Sequence, residues 1–138
     1  MRLESVSLSH PDFVAMLQAL QQQYPDERRT LPEGDDLLMA LVAYEQDRPI
    51  GCALLRTAGS DCAEIEHLYS AKQGTGQMLI QQLESAARDR QLGRVAVATR
   101  IRYSKAVNYF LHQGFKKCAT LPRYKYSSST ICLDKQLS

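Results

Sequence analysis

The spacing of apolar and polar positions along the chain changes several times, and each change marks an element. From Arg2 to Leu8, one side of an extended segment carries Leu3, Ser5 and Ser7 and the other Glu4, Val6 and Leu8, which suits a short edge strand. Past Ser9 the period becomes helical. Phe13, Val14, Leu17 and Leu20 share one face, Ser9 is the expected cap with entry through His10 and Pro11, and Tyr24-Pro25 closes the helix. The stretch from Asp26 to Asp36, with Pro32 and Gly34, holds no period and predicts a polar loop or a short helix. Two apolar runs follow, Leu37 to Tyr44 and Ile50 to Thr57. Gln46-Asp47-Arg48-Pro49 separates them as a turn, so the pair predicts an antiparallel hairpin.

Ala58-Gly59-Ser60-Asp61 turns the chain into a third strand, Cys62 to Tyr69. After Gly76 the helical period returns through Met78, Leu79, Leu83, Ala86 and Ala87 until Gly93 stops it. Arg94 to Thr99 predicts a short strand, and Tyr103 to Gln113 a helix ended by Gly114. Phe115 to Cys118 and Thr130 to Leu137 supply two final strands. The strand–helix–strand unit across residues 63–99 requires a parallel crossover, whereas the other connections are hairpin-like. The expected fold is therefore α/β (α+β): a mixed, mostly antiparallel twisted sheet with a central parallel strand pair and helices on both faces. A length of 138 residues without repeat, low-complexity tract or linker predicts a single domain over residues 1–138.

Composition narrows the function classes. No apolar run approaches the ~20 residues of a membrane span, and Glu4 and Asp12 interrupt any N-terminal signal pattern, so no membrane role is expected. Cys52, Cys62, Cys118 and Cys132 lack C-x-x-C spacing, which predicts neither zinc nor disulfides but reduced thiols in a cytoplasmic setting. No other pair of His, Cys or carboxylate groups has a recognised ligand spacing, so no metal is expected; His10, His67 and His112 read as structural. The net charge of +2 conceals a split: residues 1–70 carry 5 Lys/Arg against 12 Asp/Glu, residues 71–138 carry 12 against 3. One domain with an acidic and a basic half points to two ligands of opposite sign. Nucleic acid is disfavoured, because the basic residues are dispersed and no zinc-finger or aromatic RNA-binding signature accompanies them.

The sharpest local feature is the run from Ala63 to Gln77, a strand that enters Gly74-Thr75-Gly76 and then a helix. Such a junction gathers unpaired backbone N–H groups at the positive end of a helix, a ready cradle for phosphate. In that same strand Glu64 and Glu66 are two residues apart, so both carboxylates are expected on one face, with His67 on the other.

The element order, together with three stretches, resembles the GNAT superfamily of acetyl-CoA-dependent N-acetyltransferases. The stretches are Ala63 through Gln77, Ala106-Val107-Asn108-Tyr109-Phe110-Leu111-His112-Gln113-Gly114-Phe115, and Ile131 to Leu137. They match in turn the family's fourth strand and pyrophosphate loop, its A-x-x-[FY]-[FY]-x-x-x-G-F helix and strand, and its last strand. Two positions depart from the pattern. Ala71 opens the glycine loop where the family prefers Arg or Gln, and the turn between Tyr69 and Gly74 is short.

The resemblance implies acetyl-CoA as co-substrate, lying between the strands at 63–70 and 94–99. Its pantetheine would pair with the backbone around Leu68, Tyr69 and Ser70, and its pyrophosphate would rest on Lys72, Gln73, Gly74, Thr75, Gly76 and Gln77. It further implies a carboxylate base. Glu64 matches the base of the histone-acetyltransferase branch and Glu66 a substrate-side position of small-molecule members. The family's usual tyrosine acid falls on Phe110, so Tyr109 becomes the candidate donor, with Tyr103, Tyr124 and Tyr126 as alternatives. The expected acceptor is a small cationic amine or a protein lysine, handled by a monomer or homodimer. The competing reading is a non-catalytic CoA-binding regulatory module that acts through a protein partner.

Overall fold

A computed structural model describes residues Met1–Ser138 and divides the chain into two compact units. One comprises Met1–Arg56 and Ile65–Leu83, the other Thr57–Glu64 and Glu84–Ser138. Seven strands, β1 (Arg2–Ser5), β2 (Leu37–Glu45), β3 (Arg48–Thr57), β4 (Cys62–Ser70), β5 (Arg94–Arg100), β6 (Lys116–Lys117) and β7 (Thr130–Gln136), follow the sheet order β1-β2-β3-β4-β5-β7-β6. The helices are α1 (Pro11–Gln23), α2 (Thr75–Asp89) and α3 (Ser104–His112). The mixed sheet with one parallel pair is the expected fold class. None of the helices is long and apolar enough to cross a membrane.

In the first unit β1 and β3 flank β2 in antiparallel register. The hairpin turn is only Gln46-Asp47, with Gln46 at a φ of 56°; Arg48 and Pro49 already belong to β3. Helix α1 drops Phe13, fully buried, onto Val42, Tyr44, Cys52 and Leu54, with Leu17 and Met16 beside it. Because side chains alternate along a strand, Gly51 faces the other way, and there it meets Thr75 and Leu79 of α2. Within this unit the sheet is thus covered on both sides. The cap of α1 departs from expectation. His10 Nδ1, not Ser9, accepts from Asp12 N–H at 3.1 Å, and Ser9 instead bonds Ser7.

In the second unit the parallel register pairs Cys62–Glu64 of β4 with Arg94–Ala96 of β5, and β7 pairs antiparallel with β5 over its whole length. The end of α3 explains the spacing of its aromatic residues. Gly114, at a φ of 95°, donates to Leu111 C=O, and Phe115 N–H reaches back to Phe110 C=O, the hydrogen-bond pattern of a Schellman cap. Phe110 and Phe115 then stack edge-to-face at 5.6 Å, supplying the apolar contact that such caps carry. A Gly114→Ala variant forces an L side chain into that backbone region, and should lose about 1–2 kcal/mol in urea unfolding. Strand β6 is shorter than the sequence suggests, two residues rather than four.

Candidate functional site

The strand–turn–helix junction lies in the first unit. Ala71 N–H donates to Ile50 C=O at 2.8 Å, and Ser70 Oγ bonds the Lys72 carbonyl at 2.7 Å, folding the chain over. Gly74 then takes a φ of 90°, and its carbonyl accepts from Met78 N–H, so α2 opens at Thr75, before Gly76. A methyl group added at Gly74 would meet nothing within 4 Å. This glycine is needed for its conformation, and it leaves open space above the turn. Ser70, Lys72, Gln73, Gly74 and Gln77 are exposed, whereas Thr75 and Gly76 are buried and Leu68 and Tyr69 half-buried. The predicted phosphate cradle is therefore a turn with an open outer side. The first N–H groups of α2 have no acceptor inside the helix and carry its positive partial charge.

Lys72 forms an ion pair with Glu45, and that hydrogen bond holds the Glu45 carboxyl below its usual range. Both side chains are about half exposed, so the pair is weakly held and open to exchange with an anion. A cavity of ≈390 Å³ opens beside them, lined by Glu45, Arg48, Ile50, Tyr69, Ala71 and Lys72 among others.

Further back on β4, His67 adopts a φ of 56° inside the strand. Its Nε2 lies 2.9 Å from Thr30 C=O and its Nδ1 3.4 Å from Arg29. The proton on Nε2 satisfies both contacts, since Nδ1 then accepts from the guanidinium. His67 thereby pins the polar loop, in keeping with a structural part. Glu66 pairs with Arg56 at 3.5 Å, and Arg56 also approaches Asp36 at 3.9 Å. The acidic segment is thus tied down at both Thr30 and Asp36.

Glu64 lies in the second unit and is only 1% exposed. Arg123 Nη1 donates to its Oε1 at 2.9 Å and Tyr124 Oη to its Oε2 at 2.5 Å. A 3-10 turn, Pro122–Tyr124, presents these partners. It hangs from buried Leu121, whose N–H donates to Cys132 Sγ at 3.5 Å, and Tyr124 N–H closes back on Leu121 C=O. The Arg123 guanidinium also sits 5.1 Å from the Tyr124 ring centroid, which stiffens the pair. Arg123 escaped the sequence reading, because no local pattern marks a partner 59 residues away. Tyr109 is half-buried on α3 and stacks on Phe110 at 5.4 Å; burial raises its phenol pKa, making it a weaker acid. No group of three or more His, Cys, Asp or Glu side chains is placed to hold a metal ion.

The model of the acetyltransferase (GNAT) family matches residues 6–115, most of the chain. The chain belongs to this family and is an acyltransferase of its type. A search of curated proteins gave no significant match. Among solved structures, one assigned as an acyl-CoA N-acyltransferase from Klebsiella pneumoniae shares 18% identity at a TM-score of 0.85, covering 99% of this chain and 97% of its own. N-acetylglutamate synthase from Neisseria gonorrhoeae, solved with coenzyme A and N-acetyl-glutamate, gives 19% identity and a TM-score of 0.75 over 99% of this chain but 35% of that one. The ribosomal-protein-S18-alanine N-acetyltransferase of Escherichia coli gives 15% and 0.68 over 99% and 94%. At these identities the likeness establishes the fold.

Proposed function

We propose that the chain transfers the acetyl group of acetyl-CoA to a primary amine by direct attack, with a carboxylate of β4 accepting the amine's proton. The observation that carries this reading is the exposed turn at Lys72–Gly74, open above Gly74 and seated at the start of α2, in a chain of this family. Phosphate oxygens of the donor would take the helix N–H groups and exchange with Glu45 for Lys72. The chemistry needs a base, because the amine (pKa near ~10.4 for an alkyl amine) attacks in its neutral form and its nitrogen must shed a proton as the N–C bond forms. Of the two carboxylates, Glu64 is favoured over Glu66. Its neighbour Tyr124 can pass a proton, whereas Arg56 beside Glu66 holds its protons permanently.

The acceptor class follows from charge: an acidic first half suits a small cationic amine or a protein lysine. The related ribosomal-protein-alanine and glutamate enzymes add peptide and amino-acid amines to the panel to be tried. Calorimetry with acetyl-CoA tests the donor site. Gly74→Asp, which sets a carboxylate above the turn, should weaken binding at least tenfold, and equal affinity would remove the cradle from the reading. Release of CoA thiol with spermidine, a lysine peptide or an N-terminal alanine peptide tests transfer. Binding without turnover on any amine would favour a regulatory CoA-binding module instead.

A further inference from the structure

We infer that Tyr124 is a catalytic residue of this acetyl transfer, relaying the amine's proton to Glu64, which acts only through it. The inference rests on the acetyltransferase reading above and deepens it. A general base must come within hydrogen-bond reach of the proton that it removes. Glu64 is 1% exposed, with a guanidinium donating to one oxygen and a phenol to the other. Tyr124 is half-buried, and its hydroxyl, 2.5 Å from Oε2, can both gain and lose a proton. Arg123 cannot take part in this exchange, since its guanidinium stays protonated; it fixes the far side of the carboxylate and stacks on the phenol. The three side chains therefore form a closed cluster around the buried carboxylate: an exposed anchoring cation on one oxygen, and on the other a half-buried phenol, the one partner of the two that can exchange a proton.

The relay balances as follows. The lone pair of the neutral amine forms the N–C bond at the thioester carbonyl, and the C=O π pair moves onto oxygen. One N–H proton passes to Tyr124 Oη as the tyrosine's own proton moves to Glu64 Oε2. The carbonyl then re-forms, the C–S bond breaks and its electron pair leaves on sulfur. The proton returns from Glu64 through Tyr124 to the thiolate, giving amide and CoA thiol with the phenol and carboxylate restored. Arg123 assists the return step, because a guanidinium beside Glu64 favours the charged carboxylate. Phe110, where the family pattern places a tyrosine, and the stacked Tyr109 then need no part in the proton path.

The test uses the full chain with whichever of spermidine, the lysine peptide or the alanine peptide it acetylates. Tyr124→Phe and Glu64→Gln should each lower kcat by roughly 100-fold, with the KM for acetyl-CoA within about twofold of wild type. The double variant should be no slower than the worse single one. The wild type should show a solvent deuterium isotope effect with a curved proton inventory, indicating two protons in motion, and Tyr124→Phe should lose that curvature. Wild-type kcat in Tyr124→Phe, multiplicative losses in the double variant, or a linear wild-type inventory would each overturn the relay. Melting curves identify a variant that fails to fold, in which case the wild-type inventory decides. A wild-type protein that neither binds acetyl-CoA nor acetylates any of these amines overturns the parent reading, and the relay with it. Turnover at the wild-type rate in Tyr124→Phe overturns the relay alone.

Discussion

Gly51→Val should be among the most damaging single substitutions in the chain, costing about 3 kcal/mol of stability and with it the donor site. Gly51 lies within β3, in register with Ala43, at a position where a β-branched residue would ordinarily favour a strand. The surroundings forbid one. A Cβ built on Gly51 would stand 2.7 Å from the backbone oxygen of Tyr69, 3.1 Å from Thr75 Cγ2 and 3.4 Å from Leu79 Cδ1. A long side chain could swing aside, but the Tyr69 carbonyl is part of the strand and cannot. Any side chain here must push β3 away from the end of β4 and from the first turn of α2. Those segments flank the turn at Lys72–Gly74, so a strain of a few tenths of an ångström is delivered straight to the proposed phosphate cradle. Even Gly51→Ala should lower the urea midpoint and weaken acetyl-CoA binding together. A variant that loses neither would show that β3 and β4 part freely, and the cradle's position would then have another cause.

Gly51 also shows where the sequence falls silent. Its need for hydrogen in place of a side chain comes from residues that lie 18–28 positions downstream, and nothing in the local pattern hints at them. Gly114 is the contrasting case. Its role is spent within a few residues, on carbonyls at 110 and 111 and on the ring of Phe115, so a helical period ending in Gly-Phe was legible as a cap. The same division holds across the candidate site. The Gly74 turn is local and stood out; the occupation of Lys72 by Glu45 and of Glu64 by Arg123 and Tyr124 joins segments 27, 59 and 60 residues apart, and did not. The cap of α1 differs from its sequence pattern for another reason. Ser9 has the commoner capping side chain, but His10 stands one residue nearer the helix and its ring nitrogen reaches Asp12 N–H. Strand β6 fell short because its paired part is confined to the two residues between the Gly114 cap and the loop that carries Arg123 and Tyr124.

Stability should fall steeply as pH rises above about 9, because several buried groups hold their protons more tightly in the fold than in the unfolded chain. Cys52 is fully buried, and burial, opposed in part by the charge of Arg29, pushes its thiol from an ordinary 9.0 up to about 12. Burial likewise raises Cys62 to about 11, and Tyr44, buried and donating to Asp12 at 2.6 Å, to about 12. In the unfolded chain these groups ionise at their ordinary values. Above pH 9 the unfolded state therefore binds fewer protons than the folded one, and stability falls as pH rises. A difference of three pH units at Cys52 amounts to about 4 kcal/mol once pH passes 12. By pH 11, Cys52 should have withdrawn about 2–3 kcal/mol, with Cys62 and Tyr44 adding smaller losses in the same direction, against a total stability that is commonly ~5–15 kcal/mol. Urea unfolding at intervals from pH 7.5 to 11 should give a midpoint that is flat to about pH 9 and then drops steeply. Cys52→Ala should be somewhat less stable than wild type at neutral pH, since it opens a small cavity beside Phe13 and Leu54, yet its alkaline limb should be shallower by about 2–3 kcal/mol. The two curves should therefore approach or cross near pH 11. Parallel curves would mean that the Cys52 thiol ionises as readily in the fold as outside it, and that the sheet face under α1 admits water.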